Sequence, residues 1–390
     1  MKATSVTPSI HLWLPNIFEF KGGIQVYSAF FLQALQMAFP QWQYDVFIKH
    51  DRQVDPSFPG INSTQFHFSG DWCLPLRTPA FALQILSYGL LKQPDLIIAT
   101  HLNFTLAAYW LKRLTGVPYW TVAHGVEAWN IERPDLQRAL HSADRILAVS
   151  GYTRDRLLKE QNLNPTKVSI LPNTFDGQRF QISPKPQRLL NRYNLSADCL
   201  IILTVARLDS SEQYKGYDRI IQALGKIRSF IPNVHYILVG EGNDRYRIEG
   251  LVKCLEMQSY VTLAGFVPDA ELVDYYNLCD VFAMPSLGEG FGIVYLEALA
   301  CGKPVLGGDR DGAVDALCHG ELGVLVNPNN VDEIAEKLID ILKKVSGNEF
   351  FDRPQRLREK VMSVYGFASY QEKLHQIFNT ANFPQSCSQQ

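Results

Sequence analysis

The apolar residues of this chain fall into short, strand-length runs separated by stretches with helical spacing. From Leu200 onward the alternation is regular. Residues 201–206, 234–239, 261–264 and 280–284 are near-continuous apolar runs, the pattern of strands covered on both faces. Between them, 217–230, 244–257 and 270–278 carry apolar residues at three- and four-residue intervals and predict helices. This order requires a parallel sheet flanked by helices, and right-handed crossovers then bring the loops that follow the strands to one rim. Further on, 307–312 reads as a polar loop, 323–328 as a last strand and 331–345 as an amphipathic helix, with helical spacing again over 357–378, broken at Gly366.

The first half has the same grammar with more interruptions. Ile10-His-Leu-Trp-Leu predicts a strand, Gly22-Gly23 a turn, and 29–38 a helix; strands follow at 44–48 and 65–68, then a loop with Pro56, Pro59 and Gly60 and a helix over 80–91. The run 95–100 is a buried strand ending at His101 and Asn103. Another, 119–123, ends at His124-Gly-Val-Glu127, and a third spans 144–150, with Ser150 opening a helix that holds Arg154 and Arg156. A strand at 167–171 leads into Pro172-Asn-Thr-Phe-Asp176. Residues 178–191, with Pro184 and Pro186 and no periodicity, read as a linker, which divides the chain into domains 1–180 and 192–362.

Candidate chemistry concentrates where a strand, a glycine-rich turn and a helix follow without a gap. After the run at 280–284 come Gly288, Gly290 and Gly292, then a helix from Ile293 to Ala300. The first N–H groups of that helix have no internal partners and its dipole favours negative charge, so an anionic ligand is the natural guest. Glu289 and Glu297 flank the turn eight positions apart, roughly 12 Å if all were helical, too far for a close acid–base pair. Two separated carboxylates suit two hydroxyl-bearing parts of one ligand. On the same rim, Arg207 ends a strand and Lys215 follows eight positions on. Two cations there suit a diphosphate, chelated by Arg and met by the point charge of Lys; by spacing alone two solvated loop cations fit as well. No Asp-x-Asp motif stands beside Arg207 and Lys215.

Composition narrows the classes. At 390 residues, 46% apolar and 19% charged, the chain is long enough for two globular domains, and a net charge of -2 gives no bulk pull toward nucleic acid. Of the 37 Lys and Arg, 17 precede residue 186, against 13 of the 39 Asp and Glu. The first half is therefore mildly basic, and contact with a membrane, if made, is expected to be peripheral and through that half. Seven cysteines without a C-x-x-C pair fit reduced thiols in a cytoplasm, and nine histidines without an H-x-x-x-H pair exclude an ordinary zinc motif. No apolar run approaches the roughly 20 residues of a membrane span, and the start lacks a signal-peptide pattern. The stretch 384–390 is expected to be disordered.

On Glu289-Gly-Phe-Gly-Ile-Val-Tyr-Leu-Glu297, continued by Ala-Leu-Ala-Cys-Gly-Lys-Pro-Val305, the sequence resembles the retaining GT-B glycosyltransferases with an E-x7-E signature, the family 4-like, group 1 enzymes. The ordered motifs Gly22-Gly-Ile, His124-Gly, Val205-Ala-Arg-Leu and Lys215-Gly extend the resemblance over nearly the whole chain. It implies an α/β chain of the GT-B fold, two doubly wound Rossmann-like domains with a donor/acceptor cleft that closes, and a closing helix, about 365–380, that packs back on the first domain. The implied activity is a hexosyltransferase that moves a hexose from a nucleotide-diphosphate sugar, UDP- or GDP-linked, to a hydroxyl acceptor such as a polysaccharide, glycolipid or small molecule. Retention at the anomeric carbon is implied, with no cofactor and no metal.

The family's motifs carry over onto particular residues. Arg207 and Lys215 would stabilise the departing diphosphate; Glu289 and the amides of Gly290, Phe291, Gly292 and Ile293 would face the donor sugar; Glu297 would hold the ribose; Phe266 and Val267 would frame the base. Gly23 would touch the diphosphate, His124 the transferred sugar, and Glu127 and Trp129 the acceptor. Thr174 departs from the family's Pro-Asn-Gly-x-Asp element. Two other readings share the architecture: a sugar-nucleotide 2-epimerase and a non-catalytic nucleotide-sugar-binding subunit. Oligomeric state is not legible.

Overall fold

The computed structural model describes residues 7–19, 22–55, 58 and 63–381. Pro56, Pro59 and Gly60 of the expected loop, and the tail 384–390, lie outside them. The described residues form two compact units, one within Met1–Asn173 and Phe367–Gln390, the other Thr174–Gly366.

The first unit is built on seven parallel strands: β1 (Ser9–Leu14), β2 (Gln43–Ile48), β3 (Thr64–Phe68), β4 (Leu96–Ala99), β5 (Tyr119–Ala123), β6 (Arg145–Ala148) and β7 (Val168–Ile170). Their order is β3-β2-β1-β4-β5-β6-β7. β1 pairs with β2 on one side and β4 on the other, Ile10 lying opposite both Tyr44 and Leu96. The strand order reverses there, and in doubly wound sheets the crevice beyond the strand ends at such a point is where ligands bind. β4 and β5 are buried throughout, consistent with helices on both faces. Ser150 accepts from Thr153 N–H at 3.0 Å and starts the helix Gly151–Gln161, as a capping serine should. The helix Phe367–Thr380 belongs to this unit, where Phe378 meets Trp120 with ring centroids 4.4 Å apart.

Two helices begin earlier than their periodicity predicts. The helix expected over 29–38 is Gly23–Ala38, because Gly22 in extended backbone serves as its N-cap and the turn after β1 ends there. The helix expected over 80–91 is Leu74–Lys92; a proline in the first turn lacks only an N–H that would be unpaired, and Pro79 is absorbed within the helix.

The second unit carries β8 (Leu200–Val205), β9 (Val234–Val239), β10 (Val261–Gly265), β11 (Val281–Met284), β12 (Val305–Gly308) and β13 (Val324–Val326), in the order β10-β9-β8-β11-β12-β13. All pairings are parallel, and the order reverses at β8 and β11. Ile202, Tyr217, Ile220, Leu224, Leu238 and Leu338 share one buried core. β12 corrects the expectation of a loop at 307–312. With only Val305 and Leu306 apolar before two glycines, its signal was short, yet it is buried and paired on both sides. The expected linker 178–191 likewise contains a helix, Gln187–Arg192, whose Leu189 and Leu190 are buried.

Candidate functional site

In the second unit the loops after β8 and β11 interlock. Leu287 N–H donates to the Tyr214 carbonyl at 2.8 Å. Gly216 has a φ of +76°, and a Cβ there would sit 2.2 Å from the Pro285 carbonyl oxygen, so the close approach of the loops demands glycine. Lys215 is thereby held against the loop of Glu289. Its ammonium donates to Glu289 Oε2 at 3.1 Å and lies 3.5 Å from Glu212 Oε2, while Arg207 Nη1 reaches Glu212 Oε1 at 3.3 Å. Lys215 is largely buried, but the Arg207 side chain is 66% exposed. One cation is held inside the protein; the other, paired with Glu212, extends into solvent.

The Glu289 loop is braced from beneath by the fully buried Asp311. Asp311 Oδ2 accepts from Ser286 Oγ at 2.6 Å and from Glu289 N–H at 2.8 Å, and Oδ1 from Ala313 N–H at 2.9 Å. Gly312 N–H returns the connection, donating to the Glu289 carbonyl at 2.8 Å. Burial pushes the Asp311 carboxyl up to about 7, against the pull of these donors. Beyond the loop, Phe291 and Ile293 are buried, Phe291 against the Tyr365 ring, so their side chains offer no surface to a ligand. Gly292 caps the helix Ile293–Ala300 without a side-chain bond, and no acidic residue stands in its first turn. Glu297 accepts from Tyr276 Oη at 2.6 Å, and burial raises its carboxyl to about 7 as well. After β10, Phe266 is 70% exposed whereas Val267 is buried; a flat ring is offered at 266 and a packed side chain at 267.

In the first unit, Gly23 opens its helix at an exposed position with free space around its Cα. His124 follows β5 and its ring lies edge-on to Tyr27. Its Nε2 is 2.7 Å from the Thr100 carbonyl. A carbonyl only accepts, so Nε2 carries the hydrogen and Nδ1 presents a lone pair. Burial lowers the pKa of His124 to about 4, partly countered by that carbonyl, and keeps the ring neutral. Glu127 accepts from His124 N–H at 2.6 Å and so holds this loop. Trp129 is a core residue with the Arg156 guanidinium over its ring, not a surface for an acceptor.

Spacing together with the family resemblance singled out Arg207, Lys215, Glu289 and Glu297; neither singled out Glu212, Asp311, Ser286 or Tyr276. Glu212 lies between the two cations in sequence and could have been found from that. Asp311 could not, since its partners are 22 and 25 residues away. Among the described residues no helix is long and apolar enough to cross a membrane.

Residues 21–179 match the family model Glycosyltransferase Family 4, and residues 188–361 match Glycosyl transferases group 1. The chain belongs to the group 1 glycosyltransferases. Within that family it is 32% identical over 231 residues to a GDP-mannose-dependent alpha-(1-6)-phosphatidylinositol monomannoside mannosyltransferase of Mycolicibacterium smegmatis, a match covering 56% of this chain and 59% of that one. It is 25% identical over 357 residues to the D-inositol 3-phosphate glycosyltransferase of Rhodococcus jostii, covering 83% and 77%. This group 1 chain also shares its GT-B fold with Anabaena HepE, solved with UDP and glucose (TM-score 0.74, 17% identity, 95% and 99% covered). The sucrose-phosphate synthase of Thermosynechococcus elongatus is similar to the same degree (TM-score 0.75, 21% identity, 95% and 98% covered).

Proposed function

We propose that this chain is a retaining hexosyltransferase that moves a hexose from a nucleotide-diphosphate sugar to a hydroxyl acceptor without a metal ion. The observation that carries the reading is the Arg207, Lys215, Glu289 and Glu212 constellation beyond the strand ends of the second unit. Arg207 and Lys215 would bind the diphosphate and stabilise the charge that grows on it as the bond to the anomeric carbon breaks. Lys215 is oriented in advance, so little reorganisation accompanies the step. Glu289 and the backbone of residues 290–293 would hold the sugar, Glu297 the ribose, and Phe266 with the backbone of Val267 the base. From the first unit, Gly23 would meet the diphosphate, and His124 would accept a sugar hydroxyl hydrogen at Nδ1.

The acceptor oxygen would form its bond to the anomeric carbon on the face the phosphate leaves, its proton passing to the leaving phosphate oxygen. Two protein cations would supply the charge that a divalent ion supplies elsewhere. The UDP and glucose of HepE and the GDP-mannose of the mycobacterial relative support a UDP- or GDP-sugar as donor. Peripheral membrane contact through the first unit is supported by Leu76, Leu83 and Leu90, seven positions apart on one face of the helix Leu74–Lys92 and 51%, 71% and 44% exposed.

Thermal unfolding with UDP, GDP and their sugar conjugates, with and without EDTA, tests the reading. A ligand at about 100 times its Kd adds about 2.7 kcal/mol. The expected result is a shift selective for one nucleotide, unaffected by EDTA and lost in Arg207→Ala. No shift from any nucleotide at millimolar concentration would defeat it.

A further inference from the structure

A hollow of about 370 Å³ opens where β1, β2 and β4 end and the helix Gly23–Ala38 begins. Its polar lining is Asn16, Gln25, Lys49, His50, His101 and Asn103, with no Asp or Glu among the lining residues. Asn16 and Gln25 are locked together, Gln25 Nε2 donating to Asn16 Oδ1 at 2.7 Å. His101 Nδ1 accepts from Asn103 N–H at 3.1 Å, which puts the hydrogen of a neutral His101 on Nε2.

Of the side chains lining the hollow only Lys49 is charged at neutral pH, because burial lowers the pKa of His101 to about 4 and that of His50 below its ordinary value. Among the described residues Lys49 forms no ion pair, and neither does Arg77, whose guanidinium donates to the carbonyls of Gly70 and Trp72. Burial lowers the pKa of Lys49, and Arg77 lowers it further. Burial, Lys49 and Arg77 together lower that of His50, opposed by Asp51. Asp51 does not neutralise the group: it is fully buried and accepts from the N–H groups of Ile17, Phe18 and Glu19 at 2.6, 2.7 and 3.2 Å. Glu127 acts on His101 but is engaged by His124 N–H. Lys49 and Arg77 repel each other and neither forms an ion pair among the described residues, so an anion beside Lys49 relieves that repulsion.

We propose that this hollow binds a phosphate group carried by the acceptor, distinct from the donor diphosphate, with Lys49 as its principal cation. The assignment to the acceptor rests on the transferase reading above; the anion site itself does not. A soluble sugar phosphate and a phospholipid headgroup offer the same chemistry.

The test follows the histidine ring resonances of the full chain by NMR across pH, with inorganic phosphate as probe. Phosphate should raise the titration midpoint of His50 in the wild type. Lys49→Gln should weaken phosphate at least about tenfold, equivalent to about 1.4 kcal/mol, and Lys49→Arg should restore it. An unmoved His50, or equal binding in Lys49→Gln, would overturn the proposal. If Lys49→Gln does not fold, His50→Asn read on His101 gives the same test. Repeating the titration under saturating UDP or GDP separates the two anions: retained binding supports a distinct site, and displacement gives the hollow to the donor and overturns it. Absence of any nucleotide binding would sink the transferase reading while leaving the phosphate result readable. Glycerol 3-phosphate and phosphatidylglycerol vesicles then identify the source, a Lys49-dependent response to either one supporting the site and a response to neither overturning it.

Discussion

The Lys215 ammonium stands 3.1 Å from Glu289 Oε2 across 74 residues of sequence, joining the loop after β8 to the loop after β11. Burial disfavours this ammonium, but Glu289, Tyr214 and Glu212 outweigh burial and raise its pKa above that of an ordinary lysine. It is therefore charged throughout the physiological range, and two carboxylates share it.

Removing that cation should cost activity and leave like charges facing one another. Lys215→Ala is expected to lower kcat/KM at least about tenfold, about 1.4 kcal/mol of transition-state stabilisation. Glu289→Ala should show its own loss, and the double variant should lose less than the sum, with a coupling of about 0.5–3 kcal/mol. Steady-state kinetics of the four proteins measures it. Strict additivity would show that the pair does not act together.

Asp311 touches no proposed ligand but fixes the loop that carries Glu289. In Asp311→Asn the amide nitrogen cannot accept, so either the Ala313 N–H or the pair Ser286 and Glu289 N–H loses its buried acceptor. A loss of about 1–3 kcal/mol in chemical denaturation is expected, with kcat/KM falling further than Ser286→Ala lowers it. Unchanged kinetics in a destabilised Asp311→Asn would make the residue purely structural.

Two raised carboxyls give a definite sign to the pH dependence. Glu297 and Asp311 have folded pKa values of about 7 against ordinary values of 4.5 and 3.8. Between those limits the folded chain holds protons that the unfolded chain has released, so stability falls as pH rises. The contribution is complete below about pH 4 and gone above about pH 7. Replacing Glu297 by Gln removes its share, so the stability of Glu297→Gln relative to wild type should rise from pH 5 to pH 8, by no more than about 3 kcal/mol. Denaturant midpoints across that range check it; a flat difference would mean the Glu297 carboxyl is not raised. For the same reason nucleotide affinity should rise with pH through 7, as the carboxylate that accepts the ribose hydroxyls forms.

What the sequence could show followed from local patterns. The second half of the chain was legible because its strands are covered on both faces and its helices, such as Tyr217–Phe230, carry a clean apolar stripe. β12 was not, because two of its four residues are glycines whose burial depends on neighbours in space. The same holds at the site. Arg207, Lys215 and Glu289 stand out by residue type and by their place in the family's motifs, whereas Asp311 and Tyr276 act through partners brought together by the crossovers. Phe291 and Val267 show the converse: named for their place in a motif, they are buried and present no side chain at the surface.

Two glycines that look alike in sequence should respond differently to substitution. A Cβ at Gly312 would lie 2.0 Å from the Gly290 carbonyl oxygen and 2.8 Å from Phe291 N, backbone atoms that cannot turn aside. Gly312→Ala must therefore displace the Glu289 loop, because the Gly312 N–H to Glu289 carbonyl bond cannot survive the shift. Both stability and activity should fall, with stability down by about 1–3 kcal/mol, the usual cost of overpacking. At Gly23 nothing lies within 4 Å, and alanine is a better helix former than glycine, so Gly23→Ala should leave the melting temperature unchanged or raise it slightly. Any loss of activity at position 23 then reports on a ligand approaching the helix start, since the fold itself has room for the methyl. Melting curves and kcat/KM measured on both variants decide this. A Gly23→Ala protein with full activity would remove Gly23 from the proposed site, and a Gly312→Ala protein of wild-type stability would show that the loop of Glu289 has slack.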